Sequence, residues 1–176
     1  EHEASKRFAS ELLERFQPSL VISTERCGLT SQGVYLNMRG LDISAYTAKL
    51  DHLFYDHPHT IGIGDGGNEI GMGNLSEVIP QTPSLPQHPA ATRTTHLLVA
   101  SVSNWGALGL VAALSRLVGR DLLPSLEEEA ERLKQTVQLG AVDGMSMKPE
   151  YTVDSFTLEE NGAILSRLRE AIGSQG

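Results

Sequence analysis

Short apolar runs alternate with stretches of helical periodicity along most of this chain. Residues 3–16 repeat Phe8, Leu12, Leu13 and Phe16 at helical spacing with charges between them, which predicts an amphipathic helix closed by Pro18. Ser19 to Thr24, Thr60 to Gly64 and His96 to Ser101 are short and apolar, the pattern of strands buried on both faces. Three further helices follow. Residues 104–118 are apolar almost all round, so burial on more than one side is expected; residues 126–139 are amphipathic with an acidic first turn at Glu127 to Glu129; residues 158–172 close the chain. Weaker signals predict a strand over 34–38 and a strand edge over 142–147. They also predict a helix that starts at Asp42 or Ser44, runs through Leu50, Leu53 and Phe54, and breaks at Pro58. One or two helical turns are expected over 74–79. Pro80, Pro83, Pro86 and Pro89 then make an irregular, exposed excursion.

Strands alternating with helices predict one α/β domain, with a mainly parallel sheet covered by helices on both faces in a Rossmann-like three-layer arrangement. In such sheets ligands bind beyond the carboxyl ends of the strands. Three of the predicted strand ends carry polar residues: Glu25-Arg26, Asp65 to Glu69, and Ser103-Asn104. Their convergence locates the candidate site.

The central segment is the glycine-rich loop Gly64 to Gly73, in which five of ten residues are glycine. Glycines there permit positive φ and close backbone approach, and their successive N–H groups can form an anion-binding nest. The loop lacks the Gly-Lys-Ser/Thr ending of a P-loop, and Glu69 stands where a dinucleotide fingerprint needs its third glycine. What remains is two carboxylates and an amide, Asp65, Glu69 and Asn68, on a tight scaffold. The plain structural alternative is a strand-to-helix turn capped by Asp65 or Asn68. Glu25 is a candidate base or metal ligand, or simply a partner of Arg26. Arg26 can fork onto a carboxylate with two hydrogen bonds. Asn104 sits where a helix N-terminus would meet an anionic group, although Ser103 or Asn104 also suits an N-cap. Asn37 and Arg39 supply a further candidate contact. His52, His57 and His59 straddle Pro58 without a metal-ligand spacing, and Cys27 reads as an inert thiol.

Charge narrows the partners. The net charge is −8, from 14 basic and 22 acidic side chains, which disfavours nucleic acid and anionic membranes. Aromatics at 5% argue against a base-stacking surface. No apolar run approaches membrane-spanning length, and no leader pattern is visible. A single cysteine rules out an internal disulfide and suits a reducing compartment. A small-molecule substrate in the cytoplasm is expected, with the mitochondrial matrix as the alternative and homo-oligomers left open.

Four segments carry a resemblance to a known family: Glu25-Arg26-x-Gly28 with Gly33-x-Tyr35-x-Asn37-x-Arg39-Gly40; Gly62 to Gly73; Val102-Ser103-Asn104-Trp105-Gly106; and Gly140-Ala141-Val142-Asp143-Gly144. Together they resemble the C-terminal domain of the D-glutamate cyclases, from about Pro18 onward. The resemblance implies a lyase that converts D-glutamate to 5-oxo-D-proline and water, and a chain that is the C-terminal part of a longer family domain. It assigns no catalytic residues. Lactam formation needs a base for the ammonium, an acid for the leaving oxygen and donors for the oxyanion. Asp65, Glu69 and Glu25 are the candidates for proton transfer. Gly66 and Gly67 N–H groups are candidates for the oxyanion, and Arg26, Asn104, Asn68, Asn37 and Arg39 for substrate binding. No cofactor is expected. Two other classes remain open: a carboxylate- or amino-acid-binding module without independent catalysis, and a Mg²⁺-dependent enzyme acting on a phosphorylated metabolite with Asp65 and Glu69 as ligands.

Overall fold

A computed structural model describes residues 2–173. The chain divides into two compact units, one ending at Ser103 and one beginning at Asn104.

The first unit holds a parallel sheet of three strands, β1 (Val21–Thr24), β2 (Thr60–Gly64) and β3 (His96–Val99), in the order β1-β2-β3. Val21 pairs with Thr60 and Ile61 with His96, so all three strands run out at the same end. This is the α/β architecture the alternation predicts. Burial differs from expectation, because β1 and β3 flank the sheet among the described residues. Ile22 and Val99 are about half exposed, whereas Ile63 of β2 is fully buried. The alternating glycines of β2 have a steric cause: a Cβ on Gly62 would stand 2.4 Å from the Ile70 carbonyl oxygen. The central strand therefore lies directly beneath the glycine loop that follows it.

Helix α1 (His2–Phe16) buries Ala9 and packs on the short helix α2 (His52–Tyr55), while Phe8 and Phe16 stay exposed. The helix expected from Asp42 to Phe54 is reduced to a 3₁₀ turn at Ser44–Tyr46 and to α2. The Lys49 ammonium takes the Ser44 and Thr47 carbonyls, and the Thr47 hydroxyl takes that of Ile43, so the helical ladder is interrupted. No strand forms over 34–38 either. Leu36 makes one bridge to Asp42, and the Asn37 side chain then closes a turn. The predicted turns after the loop are 3₁₀ helices at Met72–Leu75 and Ile79–Gln81, ahead of the largely exposed proline-rich excursion. Met72, Ile79 and Ala90 form the apolar cluster beneath them.

The second unit contains α3 from Asn104 onward (the helix spans Ser103–Val118), α4 (Leu126–Gln138) and α5 (Leu158–Gly173), close to the predicted bounds. Ala112, Leu123 and Leu165 centre its core. Contrary to the all-round apolar reading, α3 leaves Leu114, Leu117 and Val118 exposed. A reciprocal capping box starts α4: Ser125 Oγ accepts the Glu128 N–H, and Glu128 accepts the Ser125 N–H. Thr157 and Glu160 do the same for α5. The expected strand edge over 142–147 is a loop, because the buried Asp143 carboxylate gathers the N–H groups of Met145, Ser146 and Ser155 and the Thr152 hydroxyl.

Burial opposes ionisation of Asp143, but those donors outweigh it and hold the carboxyl well below the usual range. A folded pKa below the unfolded one stabilises fully above the unfolded value of about 4, and that stability is lost as pH falls toward the folded value. Acid titration of the fold, followed by circular dichroism, should show a loss of stability below about pH 4. In Asp143→Asn that component should be missing and stability at neutral pH reduced. An unchanged acid profile in the variant would refute the assignment.

Candidate functional site

The three parallel strands deliver their carboxyl ends side by side, and the polar residues that follow β1 and β2 meet there. Glu25 directly follows β1. Its N–H reaches the Ile63 carbonyl at 3.0 Å, and its φ of 55° lies in the left-handed region, a strained conformation for a residue with a Cβ. Asp65 directly follows β2. Its Oδ2 accepts the Ser103 N–H at 2.8 Å and the Ser103 hydroxyl at 3.0 Å. Glu69 folds back over the loop, its side chain lying against Gly64. One carboxylate oxygen from each of Glu25, Asp65 and Glu69 lies within 4.8 Å of the other two.

Glu69 is the buried member, at 1% exposure. Its Oε1 accepts the Gly66 N–H at 2.8 Å and its Oε2 the Gly67 N–H at 2.7 Å. The glycine nest therefore holds a carboxyl group that belongs to the loop itself. The Gly66 and Gly67 N–H groups, expected to face a substrate oxyanion, both donate to the Glu69 carboxyl in this structure. Burial pushes the Glu69 carboxyl up, the loop N–H groups pull it down, and the neighbouring Asp65 charge raises it again; the net direction is upward. An acid held above its usual range beside a second carboxylate is the pairing found where protons are exchanged.

Other candidates have structural duties. Asn68 donates its amide to the Leu36 carbonyl at 3.2 Å, and its own carbonyl accepts the Gly28 N–H. The Asn37 side chain accepts the N–H groups of Arg39 and Leu41, both at 3.0 Å, and so shapes a turn. Arg26 directs Nη2 to the Ala48 carbonyl at 2.9 Å, while its buried Nε has no partner. Asn104 belongs to the second unit, where it lines a cavity of about 30 Å³ with Leu108, Glu129 and Asn161. Arg39 is exposed on the wall of a cleft. The Cys27 thiol is pushed up to about 11, chiefly by burial, which fits an inert thiol.

The sequence reading missed Asp51. This buried carboxylate accepts the Leu29 N–H at 2.8 Å and the hydroxyls of Tyr35 and Thr92. It thereby joins the two segments that grip the glycine loop. Gly28 donates to the Asn68 backbone carbonyl, Ala90 donates to the Gly67 carbonyl, and the Thr92 carbonyl accepts from Gly71 and Gly73. The apolar spacing of Leu50, Leu53 and Phe54 suggested a helix around Asp51, and nothing local marks its side chain as turned inward.

The fold is that of an α/β protein with a cluster of three carboxylates at the carboxyl ends of a parallel sheet. The chain belongs to the D-glutamate cyclase-like, C-terminal family, whose model matches residues 1–169. It is also similar to a human (Homo sapiens) protein named D-glutamate cyclase, mitochondrial, at 32% identity over 100 residues. That match covers 53% of this chain and 16% of the human protein, so the chain spans a small part of that relative. Among the described residues, no helix is long and apolar enough to cross a membrane.

Removing a buried acceptor that serves three donors leaves each donor unsatisfied, at about 1–3 kcal/mol apiece. Asp51→Ala should therefore lower unfolding stability in urea by about 3 kcal/mol or more, with Tyr35→Phe costing about 1 kcal/mol. Wild-type stability in Asp51→Ala would show that the hub does not hold the cradle.

Proposed function

We propose that this chain carries a lyase site that closes D-glutamate to 5-oxo-D-proline with release of water. The observation that carries the reading is the trio of Glu25, Asp65 and Glu69, with oxygens within 4.8 Å and one buried member raised in pKa. In the reaction the amine nitrogen bonds to the γ-carboxyl carbon and one C–O bond breaks. Two protons leave the ammonium, and both end on the departing oxygen as water. A cluster of carboxylates suits each part of this proton traffic. It attracts the ammonium, accepts its proton and returns one to the leaving oxygen. Ser103 fixes Asp65 through Oδ2, which leaves Oδ1 as the accepting atom, and Glu69 is the donor. Holding the folded substrate with nitrogen and γ-carbon in contact supplies much of the remaining acceleration. Family membership and the human relative's name support the reading.

A second reading rests on the same trio. Three carboxylate oxygens so close together fit a hard divalent cation, which favours oxygen ligands and would polarise a carbonyl or phosphoryl oxygen. Incubation of the purified chain with D- and L-glutamate, with product followed by chiral chromatography, separates the possibilities. The lyase reading predicts 5-oxo-D-proline from the D enantiomer, unchanged by EDTA. Turnover should fall about 100-fold or more in Asp65→Asn and in Glu69→Gln. Loss of activity in EDTA would favour the cation reading. D-glutamate binding without turnover by the folded chain would favour a binding module. Full turnover in both folded variants would sink the assignment of roles.

A further inference from the structure

Beside the glycine loop lies a cleft of about 260 Å³, walled by Met38, Arg39, Leu85, Pro86, Gln87 and His88. Its size is slightly below the range of about 300–1,000 Å³ that takes drug-sized ligands, which suits a small metabolite or one end of it. The cleft adjoins the loop from both sides. The point where a Cβ on Gly66 would stand is 1.9 Å from Met38 Sδ and 3.1 Å from Glu69 Oε1, so the thioether borders the buried carboxylate. The corresponding point on Gly67 is 3.4 Å from Pro86 Cδ.

The cleft carries basic side chains in a chain of net charge −8. Among the described residues, no hydrogen bond or ion pair engages the Arg39 guanidinium. His88 stands on the same wall, with Nδ1 at 3.4 Å from the Gln32 amide nitrogen. With that amide donating to Nδ1, a neutral ring carries its proton on Nε2, the nitrogen left for a ligand. The turn that presents Met38 and Arg39 is held by the Asn37 side chain.

We propose that this cleft is the carboxylate subsite of the ligand, with Arg39 and His88 as the anion-binding groups and Met38 as a movable partition between them and Glu69. The identity of the ligand rests on the lyase reading; the subsite itself does not. A zwitterionic dicarboxylate needs its charges sorted. The acid trio attracts the ammonium and repels a carboxylate, so the cation that receives a carboxylate must stand beyond it. Arg39 stands in such a place with His88 beside it on the same wall, and Met38 borders both the cleft and Glu69. Met38 is 44% exposed and unbranched, so its side chain can swing aside at small cost.

Glutarate, a five-carbon dicarboxylate without an amine, probes the subsite independently of turnover. Isothermal titration of the full chain with glutarate should show binding that weakens with added salt. The affinity should fall about tenfold or more in Arg39→Gln and several-fold in His88→Gln, with folding checked by circular dichroism. In turnover assays Arg39→Gln should raise KM for D-glutamate far more than it lowers kcat. Arg39-dependent glutarate binding in a chain that does not turn over D-glutamate would support the subsite and remove the lyase reading. Failure of glutarate to bind the wild type, or equal binding by both folded variants, would overturn the subsite even if turnover is intact.

Discussion

The buried Glu69 carboxylate, held by the N–H groups of Gly66 and Gly67, is the interaction on which the site is built. It closes the loop after β2 upon itself and brings an acid over the end of the central strand. The local chemistry follows from that closure. A carboxylate removed from water resists ionisation, the nest N–H groups favour it, and the Asp65 charge opposes it again. Glycine is needed where the folded-back side chain or a neighbour would meet a Cβ. At Gly64 such an atom would stand 3.0 Å from Glu69 Cβ and Cδ, and at Gly73 it would be 2.2 Å from the Ala91 carbonyl oxygen.

A loop this rich in glycine loses much conformational freedom on folding, so it needs a rigid surround. Two irregular segments provide it. Residues 28 and 90–92 bind the loop backbone, Ala91 donates to the Leu29 carbonyl between the two segments, and Asp51 ties them further through Leu29 and Thr92. The site is thus preorganised by backbone hydrogen bonds and one buried carboxylate, with few side chains left free.

Much of this was legible in the sequence because it rests on local pattern. The β2 run and the long helices are periodicity signals that tertiary contacts reinforce. The meeting of Glu25, Asp65 and Glu69 followed from the strand-end rule for parallel sheets alone. The misreadings share one cause. Over 34–38, 42–54 and 142–147, side chains of Asn37, Lys49 and Asp143 capture backbone groups that a strand or helix would have used. Asn68 and Asn37, candidate ligand contacts in the sequence, also hold backbone groups in this structure. Asp51 was invisible because its partners lie 22, 16 and 41 residues away.

The central claim is that loop closure holds Glu69 as a proton donor among three carboxylates. The most direct measurement is the ¹³C NMR titration of the Glu69 side-chain carboxyl, assigned by its loss in Glu69→Gln. The account predicts a midpoint above that of an ordinary glutamate, near 4.3. A midpoint at or below that value would contradict it.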